Sequence, residues 1–202
     1  MKIDFKKEFK HLYSPPIGKN SIVDVPAMNF LMVDGVGYPV DNPAYEQALG
    51  ALYGISYGLK FVSKAQGKDY VVPPLEGLWW MEDMSKFSME KKDEWEWTMM
   101  IMQPEWVTRN MVDTTIADVT QKKDLPALEK LRFESYHEGL SVQTFYVGPY
   151  SEEGPTIASM HAHVEAEGFS LRGKHHEIYL NDARKTAPEK LKTVIRKPIK
   201  NT

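Results

Sequence analysis

His175, His176, Glu177 and Tyr179 bring together the residue types that proton chemistry needs. They lie in Gly173-Lys174-His175-His176-Glu177-Ile178-Tyr179-Leu180, a run entered from a glycine and left through Asn181-Asp182, which reads as a strand. Side chains alternate along a strand, so His175, Glu177 and Tyr179 share one face, and His176, Ile178 and Leu180 share the other. Glutamate is depleted in strands and costly to bury without a partner. A carboxylate between apolar and aromatic walls suits a general base near neutral pH, or the counter-charge of a lipophilic cation. Tyr179, Tyr150, Trp79 and Trp80 could complete an aromatic box around it. The plain alternative is an aromatic core with Glu177 paired to Arg172, Arg184 or Arg196. The residue types leave both open.

Other chemistries find less support. His161, His163, His175, His176 and Glu177 suggest a metal site, but His161 and His163 diverge on a helix and His175 and His176 diverge on a strand. Only His175 and Glu177 share a face, too few for zinc, so the expectation is no metal and no cofactor. Ser56, Ser141 and Ser159 lack a nucleophile-elbow context. Gly35-Val36-Gly37 lacks the third glycine of a dinucleotide site. The chain has no Cys, which excludes disulfides and thiolate chemistry.

The 202 residues suit one large domain or two small ones, and 42% hydrophobic with 26% charged residues is an ordinary globular balance. A net charge of -3 gives no field for holding nucleic acid. No signal-peptide core and no bilayer-spanning run is present, so the expectation is a soluble, cytoplasmic protein without a membrane partner, monomeric or weakly dimeric. The 10 Tyr, 8 Phe, 5 Trp and 11 Met supply flat, polarizable surface for a core or for a planar guest.

The elements that must position these residues follow from periodicity. A short helix within the first 13 residues and a polar lead-in to residue 26 precede a central strand from Ala27 to Asp34. Asp41 or Asn42 caps a helix whose stripe is Tyr45, Ala48, Leu52, Ile55 and Leu59. Gly50, Gly54 and Gly58 on another face suggest close packing, with a sheet as the expected partner. A short strand, a Pro73-Pro74 break and a strand bearing Trp79 and Trp80 follow, then a strand from Glu94 to Met102. Val107 to Lys123 reads as a helix. Leu131–Tyr136 and Leu140–Val147 around His137-Glu138-Gly139 read as a hairpin. Ser151 to Gly168 reads as a helix with Glu152 and Glu153 favouring its N-terminal dipole. A last strand lies around Thr193 to Arg196.

The order strand, helix, strand, strand occurs twice, over about 27–103 and 131–198. The expected fold is therefore α+β: two pseudo-symmetric repeats forming a sheet-and-helix groove, a usual place for a small-molecule site.

Leu75-Glu76-Gly77-Leu78-Trp79-Trp80, Gly148-Pro149-Tyr150, His175-His176-Glu177-Ile178-Tyr179-Leu180 and Pro188-Glu189-Lys190-Leu191-Lys192-Thr193 together resemble the GyrI-like small-molecule-binding family, closest to its stand-alone members. The resemblance covers nearly all of residues 1–202, as a single domain. It implies tandem repeats around a ligand groove and a glutamate, at Glu177, that meets planar or cationic guests. Some stand-alone members hydrolyse cyclopropane-bearing, DNA-alkylating natural products. By that likeness Glu177 would activate water with help from Tyr150, and Trp79, Trp80, Glu76, Tyr146 and Tyr179 would contact the ligand. Two alternatives remain: a non-catalytic drug-sequestering module, and a gyrase-inhibitory protein. The lack of a preceding helix-turn-helix disfavours a transcription regulator.

Overall fold

The computed structural model describes residues 2–202, apart from the side chains of Ser85 and Met89; Met1 lies outside the described residues. Two short helices, α1 (Phe5–Glu8) and α2 (Lys10–Tyr13), precede β1 (Ser21–Val36), α3 (Pro43–Ala65), β2 (Leu75–Trp80) and β3 (Glu96–Gln103). Then come α4 (Arg109–Thr120), β4 (Arg132–Val147), α5 (Gly154–Ala166), β5 (Phe169–Leu171), β6 (His175–Tyr179) and β7 (Lys192–Asn201). The architecture is α+β. Two compact units emerge: the chain up to Phe5 with Met28–Pro73 and Gly77–Tyr136, and Lys6–Ala27 with Pro74–Glu76 and His137–Thr202. Among the described residues no helix is long and apolar enough to cross a membrane.

In the first unit β1 pairs antiparallel with β3, Asn29 opposite Gln103 and Val36 opposite Glu96. Phe30 to Val33 and Met99 to Met102 are all buried, as expected of strands covered on both faces. Asn42 caps α3 by accepting from the amides of Ala44 and Tyr45, with Pro43 at the first helical position. The stripe Ala48, Leu52, Ile55, Leu59 is fully buried.

The glycines of α3 meet a different partner from the expected sheet. A Cβ at Gly54 would stand 2.9 Å from Leu125, and one at Gly58 2.5 Å from Thr115 of α4. The face is thinned so that α4 and the turn after it can approach. Strand β1 starts at Ser21, inside the expected lead-in, and Tyr70 makes only an isolated bridge to Ile3 where a short strand was expected.

The second unit is built on β7, which is paired on both edges. Ser141–Val147 of β4 lie along one edge; His176–Tyr179 of β6 and then β5 lie along the other. Helix α5 covers one face through Met160 and Val164, packed with Val142, Ile195 and Ile199. The three-residue β5 was too short to register in the sequence pattern.

The expected hairpin at His137-Glu138-Gly139 does not form: Arg132 to Val147 is one strand. Gly139 takes φ +70°, a conformation that glycine adopts cheaply, within the strand rather than at its turn. The irregularity accompanies Glu138, which is 2% exposed. The same local signal, glycine among polar residues, serves a turn or a kink in a continuing strand.

Gly58→Ala would gain about 1 kcal/mol of helix propensity but overpack against Thr115, a cost of about 1–3 kcal/mol. Thr115 cannot rotate away without breaking its 2.7 Å bond to the Met111 carbonyl. Thermal unfolding should show Gly58→Ala melting lower than the parent. Gly50→Ala, whose Cβ would sit at an ordinary 3.6 Å from Leu125, should melt higher.

Candidate functional site

Strand β6 presents two different polar clusters, one from each face. In antiparallel pairing, residues directly opposite point the same way. Glu177 lies opposite Ile195, so Glu177 faces α5; His176 lies opposite Arg196, so both face away from it.

On the α5 face the carboxylate of Glu177 is held at both oxygens. His175 Nε2 lies 3.0 Å from Oε1, and the Tyr179 hydroxyl donates to Oε2 at 2.9 Å. The Glu177 side chain is 16% exposed and that of His175 is 7%. The expected sharing of a face by His175, Glu177 and Tyr179 is what brings them together. None of the three arginines offered as partners binds Glu177 in the hydrogen bonds of this cluster: Arg196 serves Glu138, Arg184 serves Asp182, and Arg172 serves the Glu138 and Ile199 carbonyls.

Tyr150, in the turn before α5, packs edge-on against Tyr179 with ring centroids 5.6 Å apart and is 38% exposed. Tyr146 donates to the Pro149 carbonyl at 2.9 Å and so braces that turn. Burial, with Glu153 and Glu152 nearby, pushes the Tyr146 phenol up.

Glu153, read from the sequence as a dipole-favouring residue, turns its side chain inward and makes no cap hydrogen bond. It is 3% exposed and adjoins Glu177 and Thr193. Burial and then the charge of Glu177 push its carboxyl up to about 9. Its Oε1 and the Thr193 Oγ1 have no hydrogen-bond partner. Farther along this face Lys197 donates to the Gly173 carbonyl at 2.7 Å, and burial pushes its amine down to about 8. His161 of α5 is also held low, by burial and by the charges of His175 and Lys197.

On the opposite face His176 is clamped between two carboxylates. Nδ1 lies 3.0 Å from Glu138 and Nε2 lies 3.0 Å from Glu76. Both ring nitrogens must carry protons to serve both acceptors, so the ring is an imidazolium. Burial alone would lower its pKa; the charges and hydrogen bonds of Glu138 and Glu76 outweigh that and push it up to about 9. Burial would likewise raise Glu138, but His176 and Arg196 hold it at about 2. Arg196 reaches Glu138 at 3.2 Å, Gln143 at 3.0 and 3.1 Å, and the Leu12 carbonyl at 2.8 Å. Tyr13 closes the cluster with a 2.9 Å bond to Glu76.

Glu76, expected at a ligand, is 1% exposed within this cluster. Tyr13, Glu138 and the inward role of Arg196 were missed by the sequence reading. A strand glutamate beside a glycine and an arginine in an apolar strand were the available signals.

In the first unit Trp79 is 5% exposed, stacked on Tyr45 at 6.4 Å and edge-on to Trp95 at 6.0 Å; Trp80 is half-buried. Open clefts of about 460 and 400 Å³ on this unit, near Leu125 and near Asn42, are not lined by Glu177 or its partners. Among the described residues no group of three or more side chains is arranged to hold a metal ion.

The structure thus presents a partly exposed carboxylate, bonded at both oxygens and flanked by tyrosines, on one face of an α+β fold. The chain belongs to the GyrI-like family: residues 19–200 match the model of the GyrI-like small molecule binding domain. A conserved protein from Listeria innocua shares 42% identity with a TM-score of 0.92, over 98% of this chain and 100% of its own. A second structure, described as a hydrolase from Listeria innocua, shares 43% identity with a TM-score of 0.89, over 99% of this chain and 100% of its own. The EcmrR C-terminal domain, at 13% identity and a TM-score of 0.57 over 91% of this chain and 98% of its own, is alike in fold alone. No curated protein matches the chain.

The ion cluster contributes to the pH dependence of stability at both ends, beside the raised Glu153 carboxyl, whose protonated form favours folding until pH rises through about 9. Glu138 contributes stability present above about pH 4.5 and lost as pH falls through about 2. His176 contributes stability present below about pH 6.5 and lost as pH rises through about 9. Arg196→Met, which leaves the carboxylates of Glu76 and Glu138 against His176 alone, should cost about 3–5 kcal/mol in chemical denaturation. His176→Gln should make the alkaline limb of a stability-versus-pH curve shallower, leaving the share that Glu153 contributes.

Proposed function

We propose that the protein binds planar hydrophobic or cationic small molecules at Glu177 and hydrolyses the cyclopropane ring of DNA-alkylating natural products, detoxifying them. The observation that carries this reading is the Glu177 carboxylate, oriented by His175 and Tyr179 and open to solvent over 16% of its side chain. The hydrolase description of a Listeria innocua structure 43% identical to this chain supports the reaction class.

The substrate is a cyclopropane fused to a conjugated dienone. Glu177 takes a proton from water as its oxygen attacks the unsubstituted ring carbon. A carbon–oxygen bond forms, a ring carbon–carbon bond breaks, and its electron pair moves through the dienone to the carbonyl oxygen. That oxygen accepts a proton and becomes a phenol, so one water is added and nothing is oxidised. The aromatic product makes the step downhill once the ring is attacked. Tyr150 is the proposed donor to the carbonyl oxygen, and Tyr179 and Tyr146 flank it. Glu76, held by His176 and Tyr13, would act through the strand it anchors. The two strand–helix–strand–strand stretches are proposed to be related by pseudo-symmetry.

Incubation with a spirocyclopropyl dienone, followed by mass spectrometry, should show gain of one water. Glu177→Gln should slow the reaction by about 10²–10⁴. Equal rates in both proteins would overturn the assignment of the base. Saturable tryptophan quenching with the compound returned intact would reduce the protein to a binding module.

A further inference from the structure

Two carboxyl groups meet beneath the start of α5. One, Glu177, has a donor on each oxygen. The other, Glu153, is 3% exposed, and its Oε1 has no hydrogen-bond partner. An ionised carboxylate is an acceptor only, and an unpartnered one sealed from water is among the costliest groups to bury. A second negative charge beside it raises that cost. A protonated Glu153 is a donor, and Glu177 and Thr193 adjoin it.

We propose that Glu153 and Glu177 share a single proton, held on Glu153, so that Glu153 positions the Glu177 carboxylate and keeps the pair at one negative charge. This rests on the reading of Glu177 as the reacting base and adds to it a positioning residue that does not itself touch substrate. The groups facing the pair agree with that count. From β6 come His175 and Tyr179, both on Glu177; from β7 comes Thr193, a neutral hydroxyl; from β4 comes Tyr146, whose phenol is pushed up. Glu152 in the adjoining turn adds negative charge near Tyr146, and the β7 cation on this face, Lys197, bonds the Gly173 carbonyl.

A pair with one charge has a functional consequence. The charge stays on Glu177, the partly exposed member of the pair, while Glu153 supplies the third hydrogen bond that fixes its carboxylate plane. Once Glu153 ionises, repulsion turns the two carboxylates apart, and the base loses its orientation.

The test uses the full chain labelled with ¹³C at the glutamate carboxyl carbons and titrated by NMR. One carboxyl should titrate near pH 9, vanish in Glu153→Gln, and move to lower pH in Glu177→Gln. If every glutamate carboxyl has titrated by about pH 6, within the ordinary carboxylate range, the proposal is overturned. It is also overturned if the alkaline resonance survives in Glu153→Gln. Hydrolysis of the dienone substrate adds a second reading. The parent rate should fall as pH rises through about 9. Glu153→Gln, which keeps a donor but cannot ionise, should hold its rate there, and Glu153→Ala should be slow throughout. An alkaline fall that persists in Glu153→Gln contradicts the positioning role. The titration reads the pair whether or not any substrate is turned over, so it separates failure of the pair from failure of the hydrolase reading.

Discussion

The position of Glu177 depends on an ion pair it does not touch. His176, one residue earlier, is an imidazolium locked between Glu76 and Glu138, and this lock fixes the register of β6 against β7. Strand side chains alternate, so a slip by one residue would turn Glu177 into the ion cluster and His176 toward α5. Apolar alternation resists such a slip only weakly on a strand where His, His, Glu and Tyr occupy four of five positions. Buried charges that must find their partners resist it strongly. The N-terminal segment contributes as well, through Tyr13 and the Leu12 carbonyl, so residues far apart in sequence hold one strand in place.

The two faces of that strand differ in how their charges balance. Away from α5, two carboxylates meet one imidazolium and one guanidinium. The charges cancel, the carboxylates are bonded to these cations, and the cluster has little left with which to react. Toward α5, Glu153 and Glu177 meet His175 and two neutral hydroxyl groups, and Glu153 Oε1 and Thr193 Oγ1 are left without partners. Unmatched acid and unmet hydrogen bonds mark a site that still has interactions to offer. The same residue types, glutamate and histidine, are inert on one face and chemically poised on the other.

The alternation of β6 was fully legible: His175, Glu177 and Tyr179 needed only the period of a strand. So were α3, with its Asn42-Pro43 start, and the covered strand containing Phe30 to Val33. What could not be read were features that depend on a distant partner. Glu138 and Gly139 look like a turn until Arg196 and His176 are known to bond the Glu138 carboxylate. Gly58 signals close approach, but only the fold shows that the neighbour is Thr115. Glu153 looks like any acidic residue before a helix, because nothing local shows that its side chain is buried beside Glu177 and Thr193. Charge complementarity across a hundred residues, as between Glu76 and His176, leaves no local periodicity to detect.

The central claim, that Glu177 is the base that meets the guest, is tested most directly by a crystal structure of the Glu177→Gln variant bound to an unopened spirocyclopropyl dienone. A water within hydrogen-bonding reach of the amide that replaces the carboxylate, aimed at the unsubstituted ring carbon from about 3–3.5 Å, is the result this account predicts. A guest bound with neither His175, Tyr179 nor the substituted side chain between them touching it would contradict it.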